Sequence, residues 1–86
     1  VRIHSLRRGR AEAIEAIARG DRKSSRVVGR RIEEIALPKG ATINVIVRGD
    51  EVLEAHHDTV VQTEDHLILF VTDRRQIQQV ERLFRT

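Results

Sequence analysis

The sequence predicts an α+β fold: a small, mostly antiparallel β-sheet covered by short helices and preceded by a crossover helix. Residues 37–72 contain several short runs rich in Ile, Val, Leu and Thr, which favour strands. After residue 72, apolar residues recur at intervals of three and four, which is typical of a helix with one buried face. Near the start, an Ala- and Glu-rich run predicts the crossover helix, since both residues are strong helix formers.

Length and composition limit the possible function classes. A chain of 86 residues predicts a small core that gains from association with a partner. There is no Cys, which excludes a disulfide and thiolate chemistry and fits a cytosolic protein. No apolar run approaches the roughly 20 residues that span a bilayer. The core must be aliphatic, because the only aromatic residues are Phe70 and Phe84.

The first predicted element follows a basic turn at residues 7–10. Residues 11–18 read AEAIEAIA, and we predict a helix with Ile14, Ile17 and Ala18 on one face and a stop at Gly20. A helix of small residues after a possible strand at residues 1–6 looks like a crossover between two domains. We therefore divide the chain into residues 1–24, the end of a preceding domain, and residues 25–86, a second domain.

The second predicted domain opens with a brief strand at residues 26–28 and a short helix at residues 29–35. Val28, Ile32 and Ile35 are four and three residues apart, the spacing of one helical face. The helix should end before Pro38, because the residue before a proline disfavours helical geometry. 

The sheet is predicted from a hairpin and one long strand. Residues 42–53 form the hairpin around Gly49 and Asp50, since glycine accepts the positive φ of a tight turn. Strict alternation places Ile43, Val45 and Val47 on one face. Residues 67–71 are apolar on both faces, which predicts a central or covered strand antiparallel to the hairpin.

A final amphipathic helix completes the predicted fold. Asp73 is placed to cap it, with Gln76 three residues later at the capping-box spacing. The apolar residues Ile77, Val80, Leu83 and Phe84 form a stripe that should lie on the sheet.

No reaction centre is predicted, and we expect no enzyme. His56, His57 and Asp58 are common metal-ligand types, but adjacent side chains on an extended chain point to opposite faces, which favours a solvated loop. Glu64, Asp65 and His66 match a polar turn before a strand at least as well as a catalytic set. No catalytic residue, no metal site and no resident cofactor is predicted.

Charge is unevenly distributed. Residues 1–31 hold ten basic and three acidic residues, a net +7, whereas residues 32–86 hold six and ten, a net −4. The basic third supports an alternative function as a nucleic-acid-binding module, although it lacks the exposed aromatic residues that stack bases in single strands. Candidate anion or ligand contacts are Arg30, Arg31, Asn44 and Arg48, because the arginine fork suits phosphate oxygens.

The order of motifs resembles a known family. The succession of SRVVGR, RIEEI, LPKGATI, an Ile/Val strand, EDHLILFVTD and VERLF is similar to the TrkA-C, or RCK-C, regulatory domains of Trk-type potassium uptake proteins. The opening HSLRRGRAEAIEAIARGD resembles the segment that joins a Rossmann-type domain to such a module. One departure is Glu64 where many members have Gly.

The resemblance implies a regulatory domain that pairs into a homodimer and senses a small ligand to gate a membrane-embedded potassium transporter subunit from the cytoplasmic side. It implies that NAD(H) or an adenine nucleotide binds a Rossmann domain outside this chain, so no dinucleotide residue is assigned. Some relatives bind a cyclic dinucleotide between two such domains, which makes a nucleotide or cyclic dinucleotide a possible ligand. It implies no nucleic-acid partner.

Overall fold

The structure, a computed structural model, describes residues 2–6 and 11–85, with side chains described from residue 12 to residue 85. Five strands form one antiparallel sheet in the spatial order β1-β2-β5-β3-β4. The strands are β1 (Arg2–Leu6), β2 (Ala11–Ile17), β3 (Ala41–Arg48), β4 (Glu51–Glu54) and β5 (His66–Val71). One helix, α1 (Ile77–Leu83), and two 3-10 turns, Ile32–Glu34 and Arg74–Gln76, complete the fold. The predicted α+β class with an antiparallel sheet is confirmed.

The predicted hairpin and central strand are confirmed. Arg48 lies opposite Glu51 across the β3–β4 pair, so Gly49 and Asp50 form a two-residue loop, and Gly49 has a φ of 60°. The first loop position therefore requires positive φ, which glycine adopts without a Cβ clash. Strand β5 pairs with β2 on one side and with β3 on the other, in the middle of the five strands.

The predicted crossover helix at residues 11–18 is wrong, because this segment is strand β2. Its buried side chains, which include Ile14, Ala16 and Ala18, are two residues apart, the period of a strand. Local helix propensity is overridden because β2 satisfies the backbone of β5 along its free edge and pairs with β1 on the other side. The division of the chain at residue 24 stays a prediction, and the basic turn at residues 7–10 lies outside the described residues.

A β-bulge in β3 overturns the predicted alternation of Ile43, Val45 and Val47. The register of β3 against β5 shifts between Ile43 and Val45, so that Asn44 is an extra residue. An extra residue moves the following side chains to the opposite face. Ile43 and Ile46 are therefore buried on the same face, and Val45 and Val47 lie on the other.

The segment before β3 is less regular than predicted. The predicted strand at residues 26–28 is a turn, and the predicted helix at residues 29–35 is reduced to the 3-10 turn Ile32–Glu34. Gly29 has a φ of 80°, outside the helical region, so the helical geometry begins only at Ile32. Val28 and Ile35 are nevertheless buried as predicted.

The final helix is confirmed, beginning with a 3-10 turn. The Asp73 carboxylate accepts a hydrogen bond from the Arg75 N–H, whereas the Gln76 N–H bonds to the backbone carbonyl of Asp73. Ile77 and Val80 are buried against the sheet, with Leu83 and Phe84 at the margin. Within residues 2–6 and 11–85, no helix has the length and apolarity needed to cross a membrane.

All of the cover lies on one side of the sheet. The inner face contributes the side chains of Ile14, Ala16, Ile43, Ile46, Leu67, Leu69 and Val71 to the core. The loops and α1 contribute Val27, Val28, Ile35, Val61, Ile77 and Val80. The core is aliphatic, as the composition requires. Among residues 2–6 and 11–85, no segment covers the opposite face of the sheet.

Candidate functional site

The side of the sheet away from the core is largely apolar. We call it the outer face and define it by Ala13, Ile17, Val45, Val47, Val52, Ile68 and Phe70. Cross-strand pairing places these residues in rows: Phe70 is opposite Ala13, Ile68 is opposite Val45, and Val47 is opposite Val52. The outer face therefore extends from β2 across β5 and β3 to β4, and the polar residues Glu15, His66, Thr42 and Glu54 lie among its apolar residues.

Exposure shows that the outer face is uncovered. Phe70 keeps 43% of its surface exposed and Val52 keeps 71%, and the other aliphatic residues of the outer face are half-buried by their neighbours. Each Å² of apolar side-chain surface removed from water contributes roughly 25 cal/mol of favourable free energy, which an exposed surface does not gain. Large exposed apolar patches rimmed by polar groups mark interaction sites.

One polar contact lies within the outer face. The His66 Nδ1 atom lies 3.0 Å from Glu15 Oε2, between neighbouring strands β5 and β2. Both side chains are partly exposed, at 41% and 32%. His66 is opposite Ile17 on one side and Val47 on the other, so this contact interrupts the apolar surface where β2 meets β5.

A buried ion pair anchors the end of β3 to the start of β5. Arg48 Nε and Nη2 donate to Asp65 Oδ1 and Oδ2, both at 2.9 Å, and Nη2 also donates to the Val60 carbonyl. The Gln62 N–H donates to the same carboxylate at 2.9 Å. Asp65 is only 1% exposed, and its hydrogen bonds raise the pKa of Arg48 above its usual value. The pair holds the loop at residues 60–65 beneath the sheet.

The turn before β5 contains a residue in an unfavourable conformation. Glu64 has a φ of 69°, in the left-handed region, and is the only non-glycine residue with positive φ among the described residues. Its N–H donates to the Ala18 carbonyl at 2.6 Å, and the Ala18 N–H donates to the Asp65 carbonyl at 2.8 Å. These bonds continue the β2–β5 ladder into the turn, so pairing with β2 holds Glu64 in place. Glu64 therefore adopts a positive φ, which glycine would adopt at this position without a Cβ clash.

The predicted ligand residues do not share one surface environment. Arg48 forms an ion pair with Asp65. Arg31 forms ion pairs with Glu33 and Glu34, and Arg30 Nε donates a hydrogen bond to the Arg26 carbonyl. Asn44 occupies the β3 bulge and accepts a hydrogen bond from the Thr42 hydroxyl. A role for Arg30, Arg31, Asn44 and Arg48 in anion binding stays a prediction, as does the nucleic-acid alternative, whose residues 7–10 lie outside the described part.

The other candidate sets are also separated by the structure. His56, His57 and Asp58 lie exposed in the loop after β4, and His56 Nε2 is 3.9 Å from Glu54. Asp65 binds Arg48, whereas His66 contacts Glu15. Across the described residues, no cluster of three or more His, Cys, Asp or Glu residues has a metal-binding arrangement.

Sequence reasoning missed two long-range pairs. Asp65 binds Arg48, 17 residues earlier, and Glu12 on the inner face of β2 lies 2.9 Å from Arg74 Nε, next to α1. Glu12 is 1% exposed, so the alternation of β2 brings a carboxylate into the core margin. Glu12 is spaced by two, four and six residues from Ile14, Ala16 and Ala18, which indicates one face of a strand. The high helix propensity of the same residues favoured the wrong prediction instead.

Comparison with known proteins assigns the family. The TrkA-C domain model matches residues 21–85, so the chain belongs to the TrkA-C domain family. It is 66% identical over 84 residues to the Trk system potassium uptake protein TrkA of Halomonas elongata and 54% identical to that of Vibrio alginolyticus. Each alignment covers 98% of this chain and 18% of the relative.

A third relative carries the same name as the other two. The Trk system potassium uptake protein TrkA of Haemophilus influenzae is 37% identical over 82 residues, which cover 95% of this chain and 18% of that protein. The chain therefore spans less than a fifth of the length of these curated relatives.

Proposed function

We propose that this chain is a non-catalytic regulatory domain of a potassium uptake system, acting on the cytoplasmic side of a membrane-embedded transporter subunit. The single observation that carries the proposal is the match to the TrkA-C domain over residues 21–85. The names of the relatives, Trk system potassium uptake proteins, supply the physiological setting. Asp65 binds Arg48 and His66 contacts Glu15, and this separation supports a role without chemistry.

We propose further that the domain acts as a homodimer through the outer face. The supporting observation is the cluster of exposed and half-buried apolar residues on β5 and β3, which includes Phe70 at 43% exposure. A second copy offers the same apolar surface, and an isologous pair buries both at once.

The homodimer gives a route for regulation. A ligand shifts an arrangement of two domains only when it binds one arrangement more tightly than the other. A nucleotide or cyclic dinucleotide bound near the pair would act in this way, and NAD(H) or an adenine nucleotide would bind outside this chain. The domain would then couple ligand occupancy to the transporter without making or breaking bonds.

Pairing through the outer face is tested by mass. Sedimentation equilibrium of the wild-type chain should give twice the protomer mass, and Phe70→Lys should give the protomer mass, because it places a charge inside the apolar contact. Gln79→Lys, which adds the same charge on the exposed side of α1, is the matched control and should remain dimeric. A wild-type protomer mass at high concentration, or equal dissociation by both variants, would refute pairing through this face.

The regulatory role is tested by exchange. This chain replaces the matching segment of the Halomonas elongata relative, to which it is 66% identical, in cells that depend on that protein for potassium uptake. We expect growth at low potassium with the wild-type segment and with Gln79→Lys, and a loss of growth with Phe70→Lys. Equal growth with all three and with the segment deleted would contradict a regulatory role.

A further inference from the structure

A second surface lies at the carboxyl end of α1. There, a cavity of about 440 Å³ is lined by Ser24, Arg26, Arg82 and Arg85. Arg26 comes from the loop after β2, whereas Arg82 and Arg85 come from the last turn of α1 and the residues after it. Arg26 Nη1 donates to the Arg82 carbonyl at 3.3 Å, which holds the two segments together across 56 residues of sequence.

The charge of this cavity is not neutralised. Five other arginines form ion pairs with carboxylates, namely Arg19, Arg31, Arg48, Arg74 and Arg75. Among the side chains that the structure describes, none of the carboxylates lies within 4 Å of the charged nitrogens of Arg26, Arg82 or Arg85. Asp21, the acidic residue nearest in sequence to Ser24, instead holds its carboxylate on the N–H groups of Lys23 and Ser24. Three like charges therefore converge on one cavity.

The shape and donors of the cavity define its ligand. Guanidinium groups donate two parallel hydrogen bonds to a phosphate, and three of them supply more donors than one carboxylate can accept. The volume lies within the range of roughly 300–1,000 Å³ that holds small molecules. A neighbouring cavity of about 410 Å³, lined by Ile17, Arg19, Glu81, Phe84 and Arg85, shares Arg85, but its Glu81 carboxylate repels a phosphate. The phosphate oxygens are therefore expected on the side of Arg26, Arg82 and Arg85, where three guanidinium groups match them better than they match a single carboxylate.

We propose that Arg26, Arg82 and Arg85 form a binding site for a phosphate-bearing ligand. The site is separate from Arg30, Arg31, Asn44 and Arg48, and it joins Arg26 to residues at least 56 positions later, which no sequence motif groups together. Only its use as a sensor depends on the proposed regulatory function. The binding itself is measurable without a transporter, so its failure would remove this site and leave the regulatory proposal standing.

The direct test is calorimetric titration of the 86-residue chain with inorganic tripolyphosphate in 100 mM KCl. We expect saturable binding that Arg82→Gln and Arg85→Gln each weaken by about fivefold or more, through loss of one charged donor group. Lys39→Gln removes the same charge from an exposed turn that does not line this cavity, and it should change the affinity less than twofold. Arg85→Gln keeps the test valid if Arg82→Gln fails to fold, because its side chain lies beyond the helix.

A vesicle arm distinguishes the source of the phosphate. Binding to tripolyphosphate identifies a soluble ligand, whereas binding only to phosphatidylglycerol vesicles, and not to phosphatidylcholine vesicles, identifies a lipid headgroup. Either result supports the site if Arg82→Gln weakens it and Lys39→Gln does not. No binding to either probe in 100 mM KCl, or an equal loss from Arg82→Gln and Lys39→Gln, would overturn the proposal.

Discussion

The Arg48–Asp65 pair gives the sharpest test of how the loop before β5 is held. Replacing Asp65 with Ala removes two charged hydrogen bonds from Arg48 and one from the Gln62 N–H, each 2.9 Å long. Removing one partner of a buried pair costs roughly 3–5 kcal/mol, because the remaining charge is left uncompensated. The Arg48 side chain is 30% exposed, so water replaces part of the lost interaction. We therefore expect Asp65→Ala to lower the free energy of unfolding by about 3 kcal/mol.

The smaller change Asp65→Asn separates charge from shape. The amide keeps one acceptor oxygen for Arg48, so the expected loss is about 1–2 kcal/mol. A domain of this size has little stability to lose, and Asn keeps enough folded protein for a full unfolding curve. Urea titrations followed by circular dichroism give both free energies, and an unchanged slope shows that the denatured state is not altered.

A double-mutant cycle isolates the pair itself. Arg48→Met keeps the aliphatic stem and removes the charge, and the double variant Arg48→Met/Asp65→Asn completes the cycle. We expect a coupling free energy of about 1.5–3 kcal/mol, the upper part of the range for residues in direct contact. A coupling below about 0.5 kcal/mol would show that the pair behaves as an exposed surface bridge, and our account of the loop would be wrong.

Three further predictions address the turn, the core and the helix cap. Glu64→Gly should stabilise the chain by about 0.5 kcal/mol, because relief of left-handed strain of about 1–2 kcal/mol exceeds the conformational entropy that glycine loses on folding. Glu64→Ala should give no stabilisation, since alanine keeps the Cβ clash. Equal denaturation midpoints for the two variants would contradict this prediction. Leu69→Ala should cost about 2–4 kcal/mol by urea titration because Leu69 is fully buried, and a loss under about 0.5 kcal/mol would refute its burial. Hydrogen bonds from Arg75 lower the pKa of Asp73, so the folded state gains stability above the unfolded pKa and loses it as pH falls through the folded value. Between pH 5 and about pH 2, Asp73→Asn should therefore lose less thermal stability than wild type, and parallel losses would exclude a contribution from this cap.

The elements that the sequence predicted well are those in which local pattern and tertiary context agree. The β3–β4 hairpin follows from Gly49 between two β-branched runs, and β5 is central because it is apolar on both sides. Helix α1 has a regular apolar stripe, and Asp73 caps the 3-10 turn that leads into it. In these segments, propensity, turn chemistry and burial favour the same conformation.

The errors arose where distant partners decide the structure. Strand β2 has helix-forming residues, yet its pairing with β5 fixes it as a strand, and a propensity of a few tenths of a kcal/mol per residue does not outweigh that pairing. The bulge at Asn44 depends on the register between β3 and β5, which the alternation of β3 alone does not contain. The candidate site was missed for the same reason: the outer face exists only once Val45, Val47, Ile68 and Phe70 are brought to one side.

By itself, the sequence determined the fold class, the family, the aliphatic core and the identity of the last three strands and the final helix, because these depend on residue type, spacing and local turns. Only the tertiary structure decided which face of the sheet is covered, which carboxylate binds Arg48, and which arginines converge beyond α1. Those features depend on contacts between residues far apart in the chain. The free energies of such contacts cannot be deduced from local sequence patterns.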